Sequence, residues 1–218
     1  PDKPPTSEGQ SQVYFTDVLN NQNRDRSSGF FVLAHPFLSR HRWSGEYPSA
    51  LDGLEIVNLK RVLEVAWQER TAGSIWSILT YWLNPHAALL RVYKDPEPEQ
   101  ELWDRLTQDR RVVGLLGTDA TAKAILAPQL FLKFPSYQTS LSVASNRVLL
   151  TSELTGDFES DKSKIMTAIQ EGHSYMALDI LGDPKGFWAE VRSRGKTHLF
   201  GSQIPSDRKS QLIVNLPA

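Results

Sequence analysis

Three polar residues stand where parallel β/α proteins do their chemistry. His35 closes the apolar run FFVLA, Asn58 closes GLEIV, and Asp119 closes GLLGT. Each falls at the C-terminal end of a predicted strand, the edge at which such folds gather functional groups. Side chains alternate along a strand, so Phe31, Leu33 and His35 share one face. Val113, Leu115, Gly117 and Asp119 share another, with Gly117 leaving room beneath the carboxylate. Glu55 is a lone charge inside an otherwise apolar strand and requires a partner: a metal ion, an Arg or Lys, or a histidine. Neutral imidazole and carboxylate are suitable ligands for Zn²⁺, Mn²⁺ or Fe²⁺. The same residues admit plainer roles. A strand-end histidine can be hydrogen-bonded to backbone, Asp119 can be the N-cap of a helix beginning near Thr121, and Glu55 can be half of a structural ion pair.

The remaining histidines do not converge on that edge. His41 lies in a loop, His86 near a helix start, His173 after Gly172, and His198 in a hairpin. A hydrolase triad has no support, because the G-x-S-x-G elbow is missing. P-loop and G-x-G-x-x-G patterns are missing too. Without cysteine there are no disulfides, thiolate nucleophiles or Cys-based zinc sites. Lys plus Arg is 24 against 25 for Asp plus Glu, so no global field points to nucleic acid or to an anionic membrane. The most apolar region, Ile75 to Leu90, is broken by Asn84-Pro85-His86 and is shorter than a membrane span of about 20 residues. It reads as two core helices.

The elements that must position these groups follow from periodicity. Residues 1–28 form a lead and a helix carrying Tyr14, Phe15, Val18 and Leu19. Phe30 to Pro36 and Leu51 to Asn58 are short buried strands. Residues 59–93 are helical, with Pro85 opening a new helix. Asp95-Pro96 starts another that carries Leu102, Trp103 and Leu106 on one face. Arg111 to Asp119 is a third buried strand, and this alternation belongs to parallel α/β architecture. Residues 129–154 read as irregular segments with a strand at Arg147 to Leu150. Ser160-Asp161 caps a helix to Glu171 that stops at Gly172, and Ser174 to Ile180 is strand-like. A hairpin turns at Arg194-Gly195, and Gln211 to Leu216 alternates as a last antiparallel strand. Only about four strands suit the parallel core, where a closed barrel needs about eight. The chain therefore reads as α/β, part of a barrel, with residues 29–190 as the barrel portion and 191–218 as a β appendage. An opening Pro1 without a signal-peptide pattern is expected of a processed or partial chain.

VLAHP, then DGLEIVN, then GLLGTDA resembles, in motif and order, the PHP (polymerase and histidinol phosphatase) superfamily. FPSYQTS, SNRVLLTSELTGD and AIQEGHSYMALDILGDPKGF are similar to its carbaryl-hydrolase-like branch, and the resemblance covers roughly residues 28–190. It implies a distorted β/α barrel and a metal-dependent hydrolase, often a phosphoesterase, with two or three divalent ions. Ligands in that family come from an early H-x-H, an Asp-His, a Glu, the His of His-Pro, and a late Asp-x-His. By position His35 matches the His-Pro ligand and Asp119 the late aspartate, while Glu55 and Asn58 match supporting residues. Thr121 stands where the late histidine belongs, and no H-x-H occurs in the chain. The resemblance thus implies a metal site incomplete in this chain, with weak or absent binding of Zn, Mn or Fe. An N-terminal segment or a second chain would complete the barrel; neither nucleic acid nor a membrane is expected as a partner. Its alternative is an inactive PHP-like binding or structural module.

Overall fold

GLEIVN is the strand around which the rest is arranged. In the computed structural model it forms β2 (Gly53–Asn58), buried along nearly its whole length. The strands β1 (Val32–Leu33) and β3 (Val113–Gly117) pair with it in parallel, one on each side. The structure describes Val13 and residues 29–39, 42–43, 45–121, 124–127, 130–132, 134–204 and 209–217. The helix expected around Tyr14 to Leu19 lies outside these residues. Of the strand expected from Phe30 to Pro36, only Val32 and Leu33 pair with β2, so β1 is a short edge.

Parallel neighbours need a crossover, and four helices supply it: α1 (Leu59–Glu69), α2 (Thr71–Thr80), α3 (Pro85–Val92) and α4 (Glu97–Thr107). Their starts are written in the sequence. Asn58 Oδ1 accepts from the Arg61 N–H, and Asn84 caps Ala87 with Pro85 following it. Glu97 and Glu99 sit in the first turn of α4, where the helix dipole favours them.

Two apolar clusters cement these layers. Leu54 and Ile56 pack with Leu102 and Val112, and Leu116 packs with Leu89, Val143 and Ala144. Val57 and Met176 touch both clusters and join them. The two-core-helix reading of Ile75 to Leu90 is corrected in one respect. Both helices form, and α3 buries Ala88, Leu89 and Val92. Most apolar residues of α2 and the turn after it, however, point outward: Ile75 is 46% exposed and Trp82 77%, while Tyr81 packs inward. This short helix sends Ser74 and Ser77 into the interior instead, and side-chain type alone did not say which face would be covered.

Beyond β3 the parallel sheet ends. The Leu116 N–H donates to Asn146 Oδ1 at 2.9 Å, and Asn146 Nδ2 donates to the Leu116 carbonyl at 2.8 Å. A side-chain amide thus takes the place of a ladder partner on that edge. A hairpin of β4 (Ala124–Ala127) and β5 (Leu130–Leu132) leads into the region read as irregular, which also holds the short helix α5 (Tyr137–Ser142) and β6 (Ser145–Val148). β6 pairs antiparallel with β7 (Ser174–Ala177), two residues earlier than the expected Arg147 start. The intervening α6 (Phe158–Gln170) is capped by Asp157, not by Ser160, which supplies the N–H that Asp157 accepts. It stops at Gly172, whose φ of 73° suits a glycine.

The last sheet is antiparallel as expected: β8 (Trp188–Ser193), running across the expected boundary at residue 190, lies between β9 (Lys196–His198) and β10 (Gln211–Asn215). Arg194 and Gly195 both take positive φ in the two-residue turn from β8 to β9. The fold is mixed α/β, with sheets of two or three strands; none closes into a barrel among the described residues.

Candidate functional site

Because β1, β2 and β3 run parallel, their C-terminal ends share one edge of the sheet, and His35, Asn58 and Asp119 all lie there. Glu55 is the anchor. The His35 backbone N–H donates to its Oε2 at 2.7 Å, and His35 Nδ1 lies 2.9 Å from the same oxygen. Asn58 Nδ2 donates to Oε1 at 2.9 Å. The partner that a buried carboxylate demanded is therefore a histidine with an asparagine amide.

The contacts around the ring favour one tautomer. Asn58 Nδ2 is 3.0 Å from His35 Nδ1, but Asn58 Oδ1 already accepts from Arg61, so its nitrogen faces the carboxylate. The carboxylate is the stronger acceptor, which puts a proton on Nδ1 directed at Glu55 and leaves the Asn58 contact as close packing. In the neutral ring the lone pair then resides on Nε2. A carboxylate behind an imidazole is the arrangement that orients metal-binding and base histidines.

Gly117 makes room for this carboxylate rather than for Asp119, as the alternation had suggested. A Cβ on Gly117 would lie 1.9 Å from Glu55 Oε1. Glu55 pairs in register with Leu115, two residues before Gly117, so the Glu55 side chain extends along the strand into the gap.

Asp119 is held differently. Lys60 Nζ, at the second residue of α1, lies 3.3 Å from its Oδ2. That oxygen is buried and makes no hydrogen bond, so the attraction is Coulombic and out of line. The reading of Asp119 as a helix N-cap is not met: after residues 122 and 123, which lie outside the description, the chain runs into β4. Thr121 is exposed. His35 and Asp119 both take left-handed backbone conformations, with φ of 55° and 42°. Among the described residues Arg194 of the hairpin is the other non-glycine residue that does so. Such strain persists where surrounding contacts over-determine it and tends to gather at functional sites.

The divalent metal implied by the resemblance does not fit the residues present. A catalytic ion takes about three protein ligands and an open position. Among the described residues no three His, Asp or Glu side chains converge as a metal-binding group. His35 and Asp119 flank β2 two strand spacings apart, roughly 10 Å between backbones. The Asp119 carboxylate already faces an ammonium. His86 and His173 are elsewhere, bonded to Ser142 and paired with Glu171 respectively; His41 lies outside the described residues. Lys60 was missed by sequence reading, and only its place two residues after a strand-end polar residue could have drawn attention to it. No helix among the described residues is long and apolar enough to cross a membrane. The chain matches no known family model, no curated protein and no solved structure.

Proposed function

We propose that this chain is the C-terminal part of a PHP-like, metal-dependent hydrolase barrel of phosphoesterase type, whose metal site the chain itself does not complete. The observation that carries the reading is the adjacency of three parallel strands ending in His35, Asn58 and Asp119, with Glu55 fixing the imidazole so that Nε2 is its donor. The remaining donors and barrel strands would come from an N-terminal segment or a second chain, and the short edge strand β1 is where they would pair. By itself the chain holds too few ligands to acidify a water and does not turn over.

The Lys60–Asp119 ion pair favours a second reading, a non-catalytic PHP-like module. There the ammonium supplies the positive charge that Asp119 would otherwise share with an ion.

Calorimetric titration with Mn²⁺ and Zn²⁺, beside a generic phosphoester assay, tests both. The unmodified chain is expected to show no metal-dependent turnover, and Thr121→His to bind metal at least tenfold more tightly. Robust turnover by the unmodified chain would refute the incomplete site. Unchanged affinity in both Thr121→His and the double variant Lys60→Met/Thr121→His would show that this edge does not face a metal site. Tight binding only in the double variant assigns the block to Lys60 and the second reading.

A further inference from the structure

The opposite edge of the same sheet carries a cavity of about 550 Å³, within the range of small-molecule sites. It opens where α4 hands over to β3, between Arg110-Arg111, the start of β7 and the segment that follows β9. Its walls are apolar: Trp103, Val113, Tyr175, Met176 and Phe200. They are also held in place. Trp103 Nε1 donates to the Val112 carbonyl at 2.7 Å, which fixes the indole and leaves its ring to the cavity. Tyr175 and Phe200 belong to an aromatic cluster with Phe187, with ring centroids 4.8 to 6.0 Å apart.

The polar lining is unbalanced. Arg110 and Arg111 face a single carboxylate, Asp109. Burial lowers the pKa of Arg110, against which Asp52 and Asp109 both work, so these two carboxylates offset Arg110. Arg111 is distinguished by its geometry. Its Nε is buried without a hydrogen-bond partner, and its guanidinium makes no ion pair among the described residues. A buried guanidinium donor without an acceptor is costly and uncommon. The same side chain also borders a smaller recess with Phe30, Asp52 and Gln170.

We propose that this cavity binds a small organic carboxylate with an aromatic or aliphatic body, its carboxylate on Arg111 and its body against Trp103, Met176 and Phe200. One guanidinium without an ion pair among the described residues matches a monoanion, and a planar fork matches a carboxylate in a two-point contact. The apolar side of the cavity, Trp103, Met176 and Phe200, offers contact to an organic body that a bare inorganic anion would leave unused. The site lies at the N-terminal edge of the parallel strands, away from His35 and Asp119, so it does not rest on the hydrolase reading.

The test uses 1-naphthoate and its neutral counterpart 1-naphthamide in calorimetric titrations of the full chain. Naphthoate is expected to bind at least tenfold more tightly than the amide. Arg111→Met should abolish that preference, Gln203→Trp at the cavity wall should weaken both ligands, and Asp119→Asn should change neither. Equal affinities for the two probes, no binding of either, or an undiminished preference in a folded Arg111→Met would overturn the assignment. Should Arg111→Met fail to fold, the wild-type preference together with the Gln203→Trp loss decides the matter. Failure of both discards the site.

Discussion

Gly117→Ala is the sharpest probe of the anchored histidine. The added methyl would sit 1.9 Å from Glu55 Oε1 and 3.1 Å from its Cδ, so the carboxylate must leave its place. Leaving breaks the contacts to the His35 N–H, His35 Nδ1 and Asn58 Nδ2, at 2.7, 2.9 and 2.9 Å. Hydrogen bonds to a charged group are worth about 1.5–3 kcal/mol each, but a carboxylate displaced toward the strand-end edge regains part of that from water. Leaving a buried polar partner unsatisfied costs about 1–3 kcal/mol. Replacing a strand glycine returns about 0.5–1 kcal/mol of chain entropy. A net loss of about 2–4 kcal/mol is expected, or about 4–16 °C in melting temperature for a domain of this size. Thermal and urea unfolding followed by circular dichroism measures it. The decisive arm is the double variant Glu55→Ala/Gly117→Ala: with the carboxylate gone, the alanine should cost less than about 1 kcal/mol. An equal cost in both backgrounds, or a cost below about 1 kcal/mol in the wild type, would refute the packing of Glu55 over Gly117.

Other substitutions probe the surrounding groups. Asn58→Ala removes both the α1 cap and a donor to Glu55, an expected loss of about 2–4 kcal/mol in urea unfolding. Asn58→Asp keeps the cap but sets two carboxylates together, so it should be destabilised at pH 7 and recover as acid protonates the pair. Burial raises the pKa of Glu99, with Glu55 adding to the rise while its own backbone hydrogen bond and Arg61 oppose it. A carboxyl raised in the folded state contributes stability below its unfolded pKa and loses it as pH rises through the folded value. Glu99→Gln should therefore melt higher than wild type at pH 7, and the advantage should vanish below about pH 4. Leu79→Gln with Trp82→Gln removes exposed apolar surface from α2 and the turn after it. Stability should change by no more than about 0.5 kcal/mol, and binding of an apolar dye should fall.

Elements whose signals are local are legible in the chain before it folds. The apolar run of β2, the Pro85 and Gly172 boundaries, the Leu102-Trp103-Leu106 face of α4 and the Arg194-Gly195 turn all express backbone preference or side-chain periodicity within a few residues. The sequence also placed His35, Asn58 and Asp119 at strand ends, since alternation and strand termination are local too. What those residues touch was decided by tertiary structure. Glu55 reaches His35, twenty positions away, only because β1 lies beside β2, and Gly117 serves Glu55 because strand register sets its neighbour. Lys60 meets Asp119 because α1 starts directly from the strand next to β3. Likewise, an apolar residue between Ile75 and Leu90 carries no mark of whether another element will cover it, so Trp82 and Leu89 read alike and ended on opposite sides of the surface. Periodicity states which residues share a face; only the assembled chain supplies what stands opposite that face, and that pairing sets the charge, hydrogen bonding and room at the site.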